Sequence, residues 1–183
     1  MFNTAITIKK QSNIPTGFGS EYYHKSLIVK NSLILNGEKA LVALSDIPKD
    51  IILFYYKASC TRLRTRTSIQ VGQAHHIEAG AIGSNINHSC TPNSKVRTSY
   101  DSESNEGVVA FFSIKDIKKD EEITFDYATT ETNLTPDLDR TLCLCNTKNC
   151  RGRIFSYTKL PYIFKEKLEN EGLLAEHIID LLM

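Results

Sequence analysis

Asn87-His88-Ser89-Cys90-Thr91-Pro92-Asn93 and Ile123-Thr124-Phe125-Asp126-Tyr127, followed by Cys143, Cys145 and Cys150, are the stretches on which the reading of this chain turns. Cys143 and Cys145 flank one residue and Cys150 follows after four more, so three thiolates can converge in a compact loop around a tetrahedral ion. A closed structural zinc site takes four such ligands. Cys60 and Cys90 are both available as the fourth, and spacing alone does not choose between them. Ligation would release the thiol protons and tie the metal's binding free energy to the folding of this segment.

Outward from these motifs the chain is ordinary. Its 183 residues, 41% hydrophobic with a formal charge of +1, fit one globular domain with a terminal extension. Scattered Lys and Arg leave no electrostatic footprint of nucleic-acid binding, so no direct nucleic-acid partner is expected. The run Arg62-Leu63-Arg64-Thr65-Arg66 reads as a solvated turn. Residues 1–10 lack the apolar stretch and cleavage site of a signal peptide, and no later segment is long enough to span a bilayer. The expectation is an intracellular protein, cytoplasmic or nuclear, with no membrane partner. In a reducing compartment five cysteines favour metal ligation over disulfides, and the sequons at Asn87 and Asn133 carry no glycan.

Short apolar runs rich in branched and aromatic residues predict strands at 26–30, 32–35, 40–44 and 51–56, with further ones at 68–71, 108–113 and 123–127. Asn36-Gly37 is a hairpin signal and Pro48-Lys49-Asp50 a second turn. Without long alternating helices, the class is mostly β, α+β by count. Beyond Pro161, the residues Ile163, Leu168, Leu173, Leu174, Ile178, Leu181 and Leu182 lie among Lys and Glu. They predict two short amphipathic helices broken near Gly172 and packed on the domain's own surface, with a dimer through them as the alternative. No internal repeat is visible. His75 and His76 are adjacent, so on a strand they face opposite ways and read as one inward and one exposed residue rather than paired ligands.

The two motif stretches and the three-cysteine segment, in that order, resemble a SET-domain protein-lysine methyltransferase of the compact stand-alone type with its post-SET zinc segment. Asp46-Ile47-Pro48-Lys49 also resembles the lead into an early strand of that fold. The resemblance implies a β-clip of small sheets with a pseudo-knot where the Asn-His-Ser-Cys and Phe-Asp-Tyr segments meet. It divides the chain into a SET domain at 25–141, a post-SET zinc segment at 142–157 and a helical extension at 158–183. It implies that Cys90 completes a structural zinc site with Cys143, Cys145 and Cys150, leaving Cys60 free. It also implies S-adenosylmethionine as cofactor, held by Ala40, Leu41, Asn87 and His88 with Leu144 against the adenine, and a lysine-bearing protein as substrate. Tyr127 matches the catalytic tyrosine, and Phe125 the phenylalanine/tyrosine switch, where phenylalanine leaves room for more than one methyl.

The chemistry gives these residue types a reason. Methyl transfer from a sulfonium needs a neutral amine, whereas free lysine, with a pKa near 10.4, is charged at neutrality. A narrow apolar channel and a nearby sulfonium both lower that value, and a phenol orients the amine without being ionised. Three positions depart from the family's pattern. Glu38-Lys39-Ala40 stands where a Gly-x-Gly turn is usual, Ser84-Asn85 where Arg-Phe is frequent, and Thr67 or Ser68 near the place of a second channel tyrosine. The rival readings are a zinc module of this fold that binds a peptide without catalysis, and methyl transfer to a non-histone protein or a small-molecule amine.

Overall fold

The computed structural model describes residues 21–183, so the stretch 1–10 considered above lies outside it. In order the elements are β1 (Glu21–Tyr23), β2 (Leu27–Asn31), β3 (Lys39–Ala43), β4 (Ile52–Ser59), β5 (Ser68–Gln70), β6 (His76–Glu78), a single helical turn α1 (Gly80–Gly83), β7 (Asn87–His88), β8 (Ser94–Asp101), β9 (Glu106–Ser113), β10 (Thr124–Phe125), a 3-10 turn over Tyr127–Thr129, α2 (Tyr162–Asn170) and α3 (Glu176–Ile179). An antiparallel sheet in the order β1-β4-β9-β8 is flanked by the hairpins β2-β3 and β5-β6 and by the parallel pair β7-β10. This is the mostly β arrangement of small sheets that the sequence predicts.

Phe54, Phe111, Leu53 and Val109 are fully buried, and Phe54 stacks on Phe111 at 4.3 Å between ring centroids. The register of β4 on β9 shifts between Ile52 and Phe54, a bulge that bends the strand over this core. In β8 the side chains of Ser94, Val96 and Thr98 are buried in alternation. Only one of those three is apolar, which is why hydrophobic patterning misses this strand. Ser94 Oγ donates to the Thr124 carbonyl at 2.8 Å, whereas Thr98 is satisfied from the carboxyl-terminal segment: its N–H donates to Glu176 Oε2 at 2.7 Å, and its Oγ1 lies 3.1 Å from His177 Nδ1. The helix α3 thus covers an edge that would otherwise offer free backbone donors.

The predicted strand at 32–35 is absent. Ser32 Oγ accepts from the N–H groups of Ile34 and Leu35 and donates to Glu122, so a side chain takes the donors a ladder would need. The hairpin itself is present, with Gly37 at φ +82° in the turn. A short repeat, present in the sequence but missed by sequence reading, also emerges. Asp46-Ile47-Pro48-Lys49-Asp50 and Asp116-Ile117-Lys118-Lys119-Asp120 face each other: Ile47 and Ile117 exchange two backbone hydrogen bonds of 2.8 Å, Asp116 Oδ1 accepts from Lys49 N–H and Asp46 Oδ1 from Lys119 N–H, both at 2.9 Å. Asp50 and Asp120 close the two turns at φ 64° and 65°.

A second core forms where α2 and α3 meet the 3-10 turn, with Ala128, Tyr157, Leu160, Leu168, Leu173, Leu174 and Ile178 buried together. The two helices break at Gly172, φ +62°. Of the residues expected on their apolar faces, Ile163, Leu181 and Leu182 are exposed instead: Ile163 lies on the face of α2 turned away from buried Leu168, and Leu181 and Leu182 lie beyond the end of α3. His76 is buried and His75 half-buried, stacked on Tyr100 at 4.0 Å.

Candidate functional site

The site is built where β7 and β10 run parallel, Asn87 beside Thr124 and His88 beside Phe125. These are the two motif segments, and their meeting is the contact a pseudo-knot requires. Asn93 fastens them: its Oδ1 accepts from Thr124 N–H at 2.8 Å, and its Nδ2 donates to the carbonyl of Glu122 at 2.7 Å and to Glu121 Oε1 at 3.0 Å. Ser89 N–H donates to the Phe125 carbonyl at 3.0 Å. Every polar group of the Asn93 amide is therefore spent on holding one segment to the other.

A cleft of about 630 Å³ opens on one side of this junction. That volume lies in the range of small-molecule sites. Asn87, His88, Leu144 and Tyr127 line it together with the turn 36–39. Asn87 Nδ2 donates to the Lys39 carbonyl at 3.0 Å and lies 3.5 Å from Glu122 Oε2. Leu144, placed between two cysteines, is 47% exposed, an apolar side chain presented to the cleft. Ala40 and Leu41 stand apart from these: both are fully buried in β3 and line no part of the cleft. Leu41 instead anchors the cleft wall, its N–H donating to Asn85 O and its carbonyl accepting from Ile123 N–H.

On the other side lies a small cavity of about 40 Å³, lined by Phe125, Tyr127, Ile86, Thr67, Ser68 and Glu131 among others. Tyr127 lines both spaces, together with Arg66, Thr67, Ser84 and Leu138. Its hydroxyl donates to the Ile86 carbonyl at 3.1 Å, and its ring packs on Phe125 at 4.8 Å and on His88 at 5.2 Å. Burial pushes the phenol up to about 12, so it is protonated at neutral pH.

The four sulfurs of Cys90, Cys143, Cys145 and Cys150 lie within 4.8 Å of one another, with Cys90 and Cys143 at 3.7 Å. Four thiolates at about 2.3 Å from a tetrahedral ion stand about 3.8 Å apart, so the donor set fits zinc. Backbone N–H groups of Arg151 and Gly152 point at the sulfurs of Cys90 and Cys150, each at 3.4 Å, as suits thiolate acceptors. Burial pushes the Cys90 thiol up to about 11 and raises Cys143 further, an arrangement a divalent cation would reverse. Cys60 stands apart from the cluster, packed against the main core.

Sequence reading missed Arg151, which couples the cysteine loop to the motif junction. Its guanidinium meets Asp126 in two bonds of 2.7 Å, with both side chains buried, and lies 5.8 Å from the Phe164 ring centroid. Its place directly after Cys150 was the available signal. His88 bridges the same parts: Nδ1 accepts from Tyr127 N–H at 3.3 Å, which leaves Nε2 to donate toward Cys90 Sγ at 3.4 Å.

The SET-domain family profile matches residues 7–128, two thirds of the chain. This chain belongs to the SET-domain family. The SET-domain relatives include the "Histone-lysine N-methyltransferase, H3 lysine-9 specific dim-5" of Neurospora crassa, 38% identical over 79 residues, covering 38% of this chain and 24% of that protein. "Histone-lysine N-methyltransferase ASHH2" of Arabidopsis thaliana is 30% identical over 168 residues, covering 79% of this chain and 9% of that protein. The chain thus spans a quarter or less of these relatives' lengths. Among solved structures, KRYPTONITE in complex with mCHH DNA, an H3(1-15) peptide and SAH is similar at TM-score 0.55 and 25% identity, covering 70% of this chain and 29% of that one. Among the described residues, no helix of this SET-domain chain is long and apolar enough to cross a membrane.

Proposed function

We propose that this chain is an S-adenosylmethionine-dependent methyltransferase acting on the side-chain amine of a lysine in a protein. One observation carries the reading: a cleft of cofactor size and a narrow cavity adjoin, and Tyr127 is the aromatic side chain that lines both. Methyl transfer needs that arrangement, with donor and acceptor entering from opposite sides and meeting at one oriented hydroxyl. The SAH bound in KRYPTONITE supports the cofactor, and the names of the relatives support lysine in a histone as the acceptor class.

In this reading the cofactor supplies an electrophilic methyl group. Asn87 and His88 hold it at the β7-β10 junction, Leu144 covers its base, and Ala40 and Leu41 act from behind by fixing the cleft wall. Tyr127, protonated, orients the amine and accepts no proton. Phe125 adds no hydroxyl to the cavity and leaves space for a second or third methyl. Cys90, Cys143, Cys145 and Cys150 take a structural zinc ion that fastens the 142–157 segment over the cleft. The SET unit at 25–141 and the extension at 158–183 share the second core, so the extension acts as part of the fold. A lysine-bearing protein partner and reduced thiols suit a cytoplasmic or nuclear setting.

The test is calorimetric titration of S-adenosylmethionine into zinc-loaded protein, joined to transfer of a tritiated methyl to core histones. Asn87→Ala is expected to weaken cofactor binding roughly tenfold, the loss of one half-buried hydrogen-bonding group. Tyr127→Phe is expected to keep binding and to lower transfer by about 100-fold. Absence of cofactor binding by folded, zinc-loaded protein would sink the enzyme reading and favour a peptide-binding module.

A further inference from the structure

The small cavity holds a group that the proposed reaction leaves unused. Glu131 follows Tyr127 by one turn, its N–H bonded to the Tyr127 carbonyl at 2.9 Å, and both side chains line the same space. Its carboxylate is only 6% exposed, and it is firmly placed. Oε1 accepts from Gln70 N–H at 2.8 Å and Thr130 Oγ1 at 3.1 Å, while the Gln70 side chain is itself held by the Thr132 N–H and hydroxyl and by the carbonyls of Gly72 and Gln73. Oε2 faces His76 Nδ1 across 3.8 Å, too long for a hydrogen bond. His76 Nδ1 has no hydrogen-bond partner, and neither has Arg64 Nε, in a residue that lines the same cavity, nor the buried Tyr56 Oη, which feels the Glu131 charge. Such atoms are uncommon in a folded interior, and an unpartnered imidazole nitrogen facing a buried carboxylate marks a polar pocket that packing alone does not explain.

We propose that Glu131 receives the ammonium of the incoming lysine and takes its proton, an inference that rests on the methyltransferase reading above. The balance is simple: one N–H bond breaks, an O–H bond forms on Glu131 Oε2, and the freed electron pair stays on the nitrogen for the methyl group. The proton leaves Glu131 for solvent through the open side of the cavity before the next turnover. At so buried a carboxylate a neutral amine beside a carboxylic acid is favoured over an ammonium beside a carboxylate. Burial pushes the Glu131 carboxyl up to about 7, against the hydrogen bonds from Gln70 and Thr130 and a smaller opposing effect of Arg64, and burial pulls His76 down to about 4, so His76 faces Glu131 uncharged. Tyr127 and Tyr56, the other titratable groups that feel Glu131, are phenols raised well above neutrality, and Glu78 on β6 faces outward.

The deciding experiment compares wild type with Glu131→Gln, which keeps the shape and an acceptor oxygen, in three measurements. Carbon-13 NMR of the glutamate side-chain carboxyls, with the Glu131 signal assigned by its loss in the variant, follows its titration with and without saturating n-butylammonium chloride. The amine is expected to displace the Glu131 midpoint; an unmoved midpoint overturns the proposal whether or not any protein is methylated. For tritiated methyl transfer to an H3(1–15) peptide, Glu131→Gln should lower kcat about 100-fold with KM little changed. It should also abolish the rise in wild-type rate as pH climbs through about 7. A variant with unchanged kcat and pH profile overturns the proposal. Calorimetry of S-adenosylmethionine separates the two ideas: wild type that binds none refutes the methyltransferase reading, while the n-butylammonium titration still decides the fate of Glu131.

Discussion

At the scale of single residues, the buried pair Arg151 and Asp126 is costly to break. Asp126 is fully buried, accepts both guanidinium bonds and also caps the 3-10 turn through Ala128 N–H at 3.1 Å. Removing one partner strands a charge in a low-dielectric site. Arg151→Ala is therefore expected to cost about 3–5 kcal/mol in urea unfolding, against under about 1 kcal/mol for removing Lys30 from its exposed pair with Asp120. A loss for Arg151→Ala no larger than that of the exposed pair would show that the junction is held by other contacts. Gly107 is a residue whose identity close packing dictates. A Cβ there would come within 2.8 Å of Val71 Cγ2, 2.9 Å of Cys60 Sγ and 3.0 Å of Ile77 Cγ2. Gly107→Ala should destabilise the fold by about 1–3 kcal/mol, readable as a lower urea midpoint at constant slope.

At the scale of elements, α3 is a short helix that isolated propensity would not sustain. It persists because it completes β8. His177 is the buried link, its Nε2 donating to the Thr130 carbonyl at 2.7 Å and its Nδ1 accepting from Thr98 Oγ1. Burial pulls this imidazole down to about 4 from an ordinary 6.5. The unfolded chain then binds the proton first, so the stability this neutral histidine contributes is present above pH 6.5 and lost as pH falls through about 4. The difference in melting temperature between wild type and His177→Gln should shrink over that window; a difference independent of pH would show that the histidine is not held neutral. Glu131 works in the opposite sense, with stability present below pH 4.5 and lost as pH rises through about 7, so the comparison must be made between variants rather than on the wild-type curve alone.

At the scale of the whole molecule, the four-cysteine cluster ties segments more than fifty residues apart, from Cys90 to Cys143. In the proposed holo-protein, zinc shields four thiols and leaves Cys60. Reaction with a disulfide reagent should accordingly report at most one accessible thiol in the metal-loaded protein and four more after chelation, with a fall in melting temperature. Equal thiol counts before and after chelation would argue against a zinc cluster.

The linear sequence was enough for the motif pair, the three clustered cysteines, the mostly β class and the helical end, because each is written in local spacing or in residue type. Periodicity alone failed at β8, where Ser94 and Thr98 are buried, and at residues 32–35, where Ser32 diverts the backbone donors. Both outcomes depend on partners far along the chain, α3 for the first and Glu122 for the second. The same limit hid the roles of Arg151 and Glu131. An arginine beside a cysteine, or a glutamate four residues past a tyrosine, is unremarkable until folding removes water from both. Only tertiary structure decides which charges are buried, and in a low-dielectric interior burial is what turns an ordinary side chain into a strong interaction or a reactive one.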